Sequence, residues 1–98
     1  MNTERLKQIE ERLRSAIPVE HLEVVDESHL HVGHAGARDG RGHFRVVVIS
    51  EALAEMSPLQ RHRLVYDAMG SLMQTDIHAL GIEAMTPAEY HAVEQRDS

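Results

Sequence analysis

Phe44-Arg45-Val46-Val47-Val48-Ile49 is the most strand-like run in the chain. It follows the stretch His29-Leu30-His31-Val32-Gly33-His34-Ala35-Gly36-Ala37-Arg38-Asp39-Gly40-Arg41-Gly42-His43. Four consecutive β-branched residues, Val46 to Ile49, predict a strand buried on both faces and therefore central in a sheet. The stretch before it reads as a loop. It holds four of the eight histidines and four of the six glycines. Glycine lets a chain bend sharply, and imidazole is the commonest metal-binding side chain. A His-rich, Gly-rich loop on a buried strand is a place where chemistry can be mounted on a rigid support. The spacing His31-x-x-His34 is not itself a zinc pattern, because a closed zinc site takes four ligands.

On the N-terminal side, residues 21–27 read as a first strand, with Leu22 and Val24 on one face and Glu23 on the other. Before it, Leu6, Ile9, Leu13 and Ile17 recur at helical spacing over residues 3–17. Pro18 ends that helix, and Glu10 and Arg14 form an i,i+4 pair in the favourable order.

On the C-terminal side, residues 51–56 suit a short helix or turn. Ser57-Pro58-Leu59-Gln60 is then a helix start: Ser57 as N-cap, Pro58 at N1 and Gln60 completing a capping box. Val65, Ala68, Met69, Leu72 and Met73 make the buried stripe of a helix running to about residue 74, the methionines as core filler. Residues 77–84 predict a third strand, with His78 on the face of Leu80 and Ile82. Thr86-Pro87-Ala88-Glu89 is a second capping box, opening a last helix that ends in fraying residues 96–98. The order is α-β-β-(short α)-α-β-α. Strands one and two pair antiparallel through the loop. Strands two and three are parallel, with a right-handed crossover. This is one α+β (or α/β) domain over residues 1–98, core about 3–95, built on a three-stranded mixed sheet.

Composition narrows the function. At 98 residues and 42% hydrophobic, the chain can build one core. It has no cysteine, hence no disulfide, no nucleophilic thiol and no cluster held by its own thiolates. No apolar run reaches the roughly 20 residues needed to cross a bilayer, and no apolar signal core follows Met1. A cytoplasmic protein is expected. The net charge is −6 with neutral histidines, and charging all eight gives −6 + 8 = +2. An acidic chain is a poor general binder of nucleic acid. No nucleophile elbow and no defensible carboxylate pair is present, so an enzyme is not expected.

Arg61, His62 and Arg63 fall in the first turn and a half of the helix opened by Ser57. They oppose the macrodipole, and such a cluster suits an anion or an acidic partner. Equally, one arginine could pair with Asp26, Glu27 or Glu51 and tie helix to sheet. Arg63 has Asp67 at i+4.

Taken in order, Leu22-Glu23-Val24-Val25-Asp26-Glu27-Ser28, His43 to Ser50, Leu59-Gln60-Arg61-His62-Arg63-Leu64-Val65-Tyr66, Ile77-His78-Ala79-Leu80 and Thr86-Pro87 resemble the BolA family, over about residues 20–90. The resemblance implies a fold like that of class II KH domains. It implies an adaptor that pairs with a monothiol glutaredoxin and shares a glutathione-ligated [2Fe–2S] cluster, in iron–sulfur cluster handling or iron regulation. The isolated protein would carry no cofactor and be a monomer or weak homodimer. His78 matches one family ligand. The other comes from the loop, where His34 is the best match and His31 and His43 are alternatives. Family members are also described as transcriptional regulators of cell shape and stress. In that reading Arg38, Arg41, Arg61 and Arg63 are candidates for DNA phosphates. Gly33-His34-Ala35-Gly36 spells the GxxG of KH loops, but it lies between strands rather than before a helix.

Overall fold

The computed structural model describes residues 2–28 and 42–97. Its elements are α1 (Asn2–Ala16), β1 (His21–Asp26), β2 (Gly42–Ile49), a 3-10 turn (Glu51–Leu53), α2 (Pro58–Met69), α3 (Leu72–Thr75), β3 (Ile77–Met85) and α4 (Pro87–Asp97). The sheet has three strands in the order β1-β2-β3. β1 and β2 pair antiparallel, from His21 opposite Ile49 to Asp26 opposite Phe44. β2 and β3 pair parallel, with Phe44 opposite Leu80 and Val46 opposite Ile82. The predicted order and pairing hold. Val46, Val47, Val48 and Ile49 are all buried, as a central strand requires.

The core lies between the sheet and the helices. α1 contributes Ile9 and Leu13, β2 contributes Phe44, Val46 and Val48, and α2 contributes Val65 and Met69. Leu53, Leu72 and Ile77 close it. Full burial of such a side chain is worth about 1.5–3 kcal/mol, so these residues carry the fold. Met69 lies in this cluster and Met73 packs against it, which is the filler role expected of them. Ser50 is buried where β2 ends. Its hydroxyl donates to the Pro18 carbonyl and accepts from the Ala52 N–H, joining the α1–β1 connection to the turn after β2.

Both capping boxes form. Ser57 Oγ accepts from the Gln60 N–H at 3.2 Å, and Gln60 Oε1 accepts from the Ser57 N–H at 2.8 Å. Thr86 Oγ1 accepts from the Glu89 N–H at 3.2 Å, and Glu89 Oε1 accepts from the Thr86 N–H at 2.9 Å. The Glu10–Arg14 pair is present at 2.9 Å.

Two local expectations fail. The helix from Ser57 does not run to residue 74. It ends at Met69, because Gly70 adopts φ +54° and ψ −130°, and α3 restarts at Leu72. The Arg12 guanidinium donates to the Met69 carbonyl there at 3.1 Å, satisfying one of the carbonyls a helix end leaves open. The second failure concerns His78. Gly42 lies opposite Ile77, but His43 lies opposite Ala79, so β3 advances two residues while β2 advances one. His78 is the extra residue of a β-bulge. Ile77 is fully buried, Leu80 and Ile82 pack on the core, and His78 is exposed rather than sharing their face.

Candidate functional site

The bulge places His78 beside His43, near the start of β2. Bulges re-aim a side chain while the strands on either side stay paired. The His78 ring centre lies 5.1 Å from that of His43, with the planes inclined by 47°. His43 is half-buried on β2, and its Nε2 is shielded from solvent. His78 is the more exposed of the two and offers the more accessible imidazole.

Backbone and side-chain hydrogen bonds fix this corner from both sides. On the β1 side, the Glu27 N–H donates to the His43 carbonyl at 2.7 Å, and the His43 N–H donates to Ser28 Oγ at 3.0 Å. The Ser28 N–H donates to Asp26 Oδ1 at 2.9 Å. On the β3 side, the Gly42 N–H donates to the Asp76 carbonyl at 2.9 Å, one residue before β3 begins. Asp76 is held in turn by Arg5 of α1, Nε to Oδ2 at 3.1 Å. The Thr75 hydroxyl, and then Arg5, keep the Asp76 carboxyl below its ordinary range.

Two residues along β2, Arg45 spans the sheet. Its Nε donates to Glu27 at 3.1 Å and its Nη1 to Glu83 at 3.0 Å, linking the segment after β1 to β3. Those two carboxylates, Glu27 first, raise the pKa of the guanidinium further.

The predicted residues divide accordingly. His78 and His43 come together. His31, His34, Arg38 and Arg41 lie outside the described residues. Arg61 is committed to the fold. Its guanidinium donates to Glu89 at 2.6 and 3.2 Å, to the Ala84 carbonyl at 3.2 Å and to the Met56 carbonyl at 3.2 Å. The tie between helix and sheet is therefore real, but its acid is Glu89 of α4 rather than Asp26, Glu27 or Glu51. With these four bonds made, Arg61 presents no vacant fork to an anion. His62 and Arg63 are exposed on α2, beside exposed Leu59 and Tyr66. Sequence reasoning did not single out Ser28 or Asp76. Asp26-x-Ser28 carries a faint signal, since aspartate often accepts from the backbone two residues on.

Among the described residues, no three His, Asp or Glu side chains converge as a metal set. His78 and His43 thus provide at most two imidazoles, and a four-coordinate centre here needs ligands from elsewhere. Among the described residues, no helix is long and apolar enough to cross a membrane.

The family model for BolA-like protein matches residues 13–89, which include β1, the bulge and both capping boxes. The chain belongs to the BolA family. It is 43% identical to BolA-like protein 1 of Mus musculus over 91% of its own length, and spans 63% of that relative's length. It is 36% identical to the DNA-binding transcriptional regulator BolA of Escherichia coli, over 90% of this chain and 81% of that one. Its structure matches the BolA domain of SufE1 from Arabidopsis thaliana with a TM-score of 0.75 at 38% identity, covering 87% of this chain and 94% of that one. The α+β fold with its mixed sheet is thus the BolA fold.

Proposed function

We propose that this BolA-family chain is a non-enzymatic adaptor. It pairs with a monothiol glutaredoxin and completes a [2Fe–2S] cluster held mainly by that partner, in iron–sulfur cluster handling or iron regulation. The observation that carries the reading is the exposed His78 imidazole, turned out of the core by a bulge and backed by His43 at 5.1 Å. A rigid, solvent-facing imidazole suits a ligand offered to a partner. The donor set fits as well: the chain has no thiol, so the glutaredoxin cysteine and glutathione would supply the sulfurs. His78 is one histidine ligand and His34 the other, with His31 and His43 as alternatives. His43 is the weaker alternative, because its Nε2 is buried and only Nδ1 could turn to an iron. Imidazoles in place of thiolates make a cluster less negative and raise its potential. They also make ligation acid-sensitive, since imidazole binds only when deprotonated.

The test is to mix the chain with cluster-loaded monothiol glutaredoxin and glutathione without oxygen, and to record visible absorption and circular dichroism. A changed spectrum in a one-to-one complex, lost in His78→Ala, is the expected outcome. A His78→Ala protein that alters the spectrum as its parent does removes His78 from the ligand set.

The name of the Escherichia coli relative favours a second reading, a DNA-binding regulator. Here exposed Arg63 and His62, with Arg38 and Arg41, would meet phosphates. It predicts salt-dependent binding to duplex DNA that weakens in Arg63→Ala.

A further inference from the structure

We propose that Ser28 is a positioning residue for the histidine pair. Its hydroxyl fixes the backbone of His43 and thereby the ring against which His78 rests.

The hydrogen-bond pattern changes at the end of the β1–β2 ladder. The last strand pair is Asp26 opposite Phe44. The next pair in register, Glu27 opposite His43, falls where two antiparallel residues can exchange both N–H···O bonds. One bond is made, from the Glu27 N–H to the His43 carbonyl at 2.7 Å. For the other, the His43 N–H donates to Ser28 Oγ at 3.0 Å. The hydroxyl thus does the work of a ladder carbonyl at a point where the chain has left the strand path. Ser28 is itself held, since its N–H donates to Asp26 Oδ1 at 2.9 Å.

This arrangement resolves a conflict. The chain has to leave β1 after Asp26 to begin the long connection, yet His43 has to stay rigid. A backbone partner would require β1 to continue. A side-chain partner lets β1 stop while His43 keeps both backbone groups bonded. Gly42, one residue earlier, is fixed to the Asp76 carbonyl on the β3 side at 2.9 Å. His43 therefore sits between two anchors, one just past the end of β1 and one just before β3, and the bulge brings His78 onto its ring. Without the hydroxyl, the His43 N–H must find water or another acceptor, and one of the two bonds that hold His43 from the β1 side is lost.

The effect of Ser28 on the cluster rests on the adaptor reading above, but its effect on the ring pair does not. The experiment therefore has two arms. In the lone protein, Ser28→Ala and Ser28→Thr are compared with the parent by NMR, following the contact between the His43 and His78 rings and exchange of the His43 amide. In Ser28→Ala the ring contact should be lost and the amide should exchange about two- to tenfold faster, the range for one hydrogen bond. Ser28→Thr keeps a hydroxyl and should restore both. In the second arm the same proteins are added to cluster-loaded glutaredoxin. Ser28→Ala should give an altered visible circular dichroism and Ser28→Thr the parental one. An unchanged ring contact in a folded Ser28→Ala protein overturns the positioning role, whatever the cluster does. A parent that leaves the glutaredoxin spectrum unchanged overturns the adaptor reading, and the first arm still decides the role of Ser28.

Discussion

The Glu89 carboxylate closes two motifs at once. Oε1 accepts from the Thr86 N–H at 2.9 Å as part of the capping box, and both oxygens accept from Arg61 at 2.6 and 3.2 Å. The Arg61 hydrogen bonds, and then the Thr86 backbone, lower its pKa to about 2. The folded protein thus binds this proton less readily than the unfolded chain does. The stabilisation is fully present above the ordinary carboxylate range near pH 4.5 and is lost as pH falls through about 2. Glu89→Gln keeps a capping side chain, as Gln60 does on α2, but removes the charge facing Arg61. Its Tm should lie below the parent's at pH 7, and the gap should close as pH falls toward 2. A gap independent of pH would assign the loss to packing instead of charge. The capping box was legible because Thr86 and Glu89 sit at a fixed local spacing. The Arg61 partner was not. It lies 28 residues away in the chain, and only the packing of α2's first turn beside the end of β3 brings the two together.

At the scale of elements, hydrophobic spacing marks where a helix or strand runs but not where it is interrupted. The stripe Val65, Met69, Leu72 and Met73 fits one continuous helix, and all four residues do face the core. The break comes from Gly70, whose φ of +54° lets the chain turn while Leu72 stays buried. A Cβ at Gly70 would also lie 2.7 Å from Arg12 Nη1, the group that caps α2. Gly70→Ala should therefore cost about 1–3 kcal/mol in urea unfolding, the range for a side chain forced into such a backbone conformation. Gly81 is the control. A Cβ there meets nothing closer than Arg45 Cγ at 3.6 Å, so Gly81→Ala should fall within about 0.5 kcal/mol of the parent. Equal losses at both glycines would show that Gly70 is not held by its backbone angle. The bulge at His78 was hidden for a related reason. Alternation along one strand cannot show an extra residue, because the extra residue exists only relative to the partner's register. The sequence pattern thus placed His78 on the third strand, but showed neither the face it presents nor the closeness of its ring to that of His43.

At the scale of the whole molecule, charge separates the two functional readings, and here the sequence total misleads by omission. Ten cationic side chains look ample for phosphate contacts. At least four of them, Arg5, Arg14, Arg45 and Arg61, already lie against carboxylates of the fold. Breaking those pairs would offset much of what a phosphate contact returns. The exposed cation left at the start of α2 is Arg63, on a chain of net charge −6. Binding to a duplex of unselected sequence at pH 7.5 should therefore be weak. Its dependence of log affinity on log salt should have a slope of about −3 or shallower, the value for roughly three phosphates. Binding should strengthen as pH falls and the net charge rises from −6. Arg63→Ala should reduce the slope by about 1, whereas Arg61→Ala should lower Tm through the loss of its Glu89 pair. A slope steeper than about −6 at pH 7.5 would mean that more phosphates are neutralised than the exposed arginines can supply. The carboxylate pairs would then have to open on DNA, and the regulator reading would displace the adaptor one.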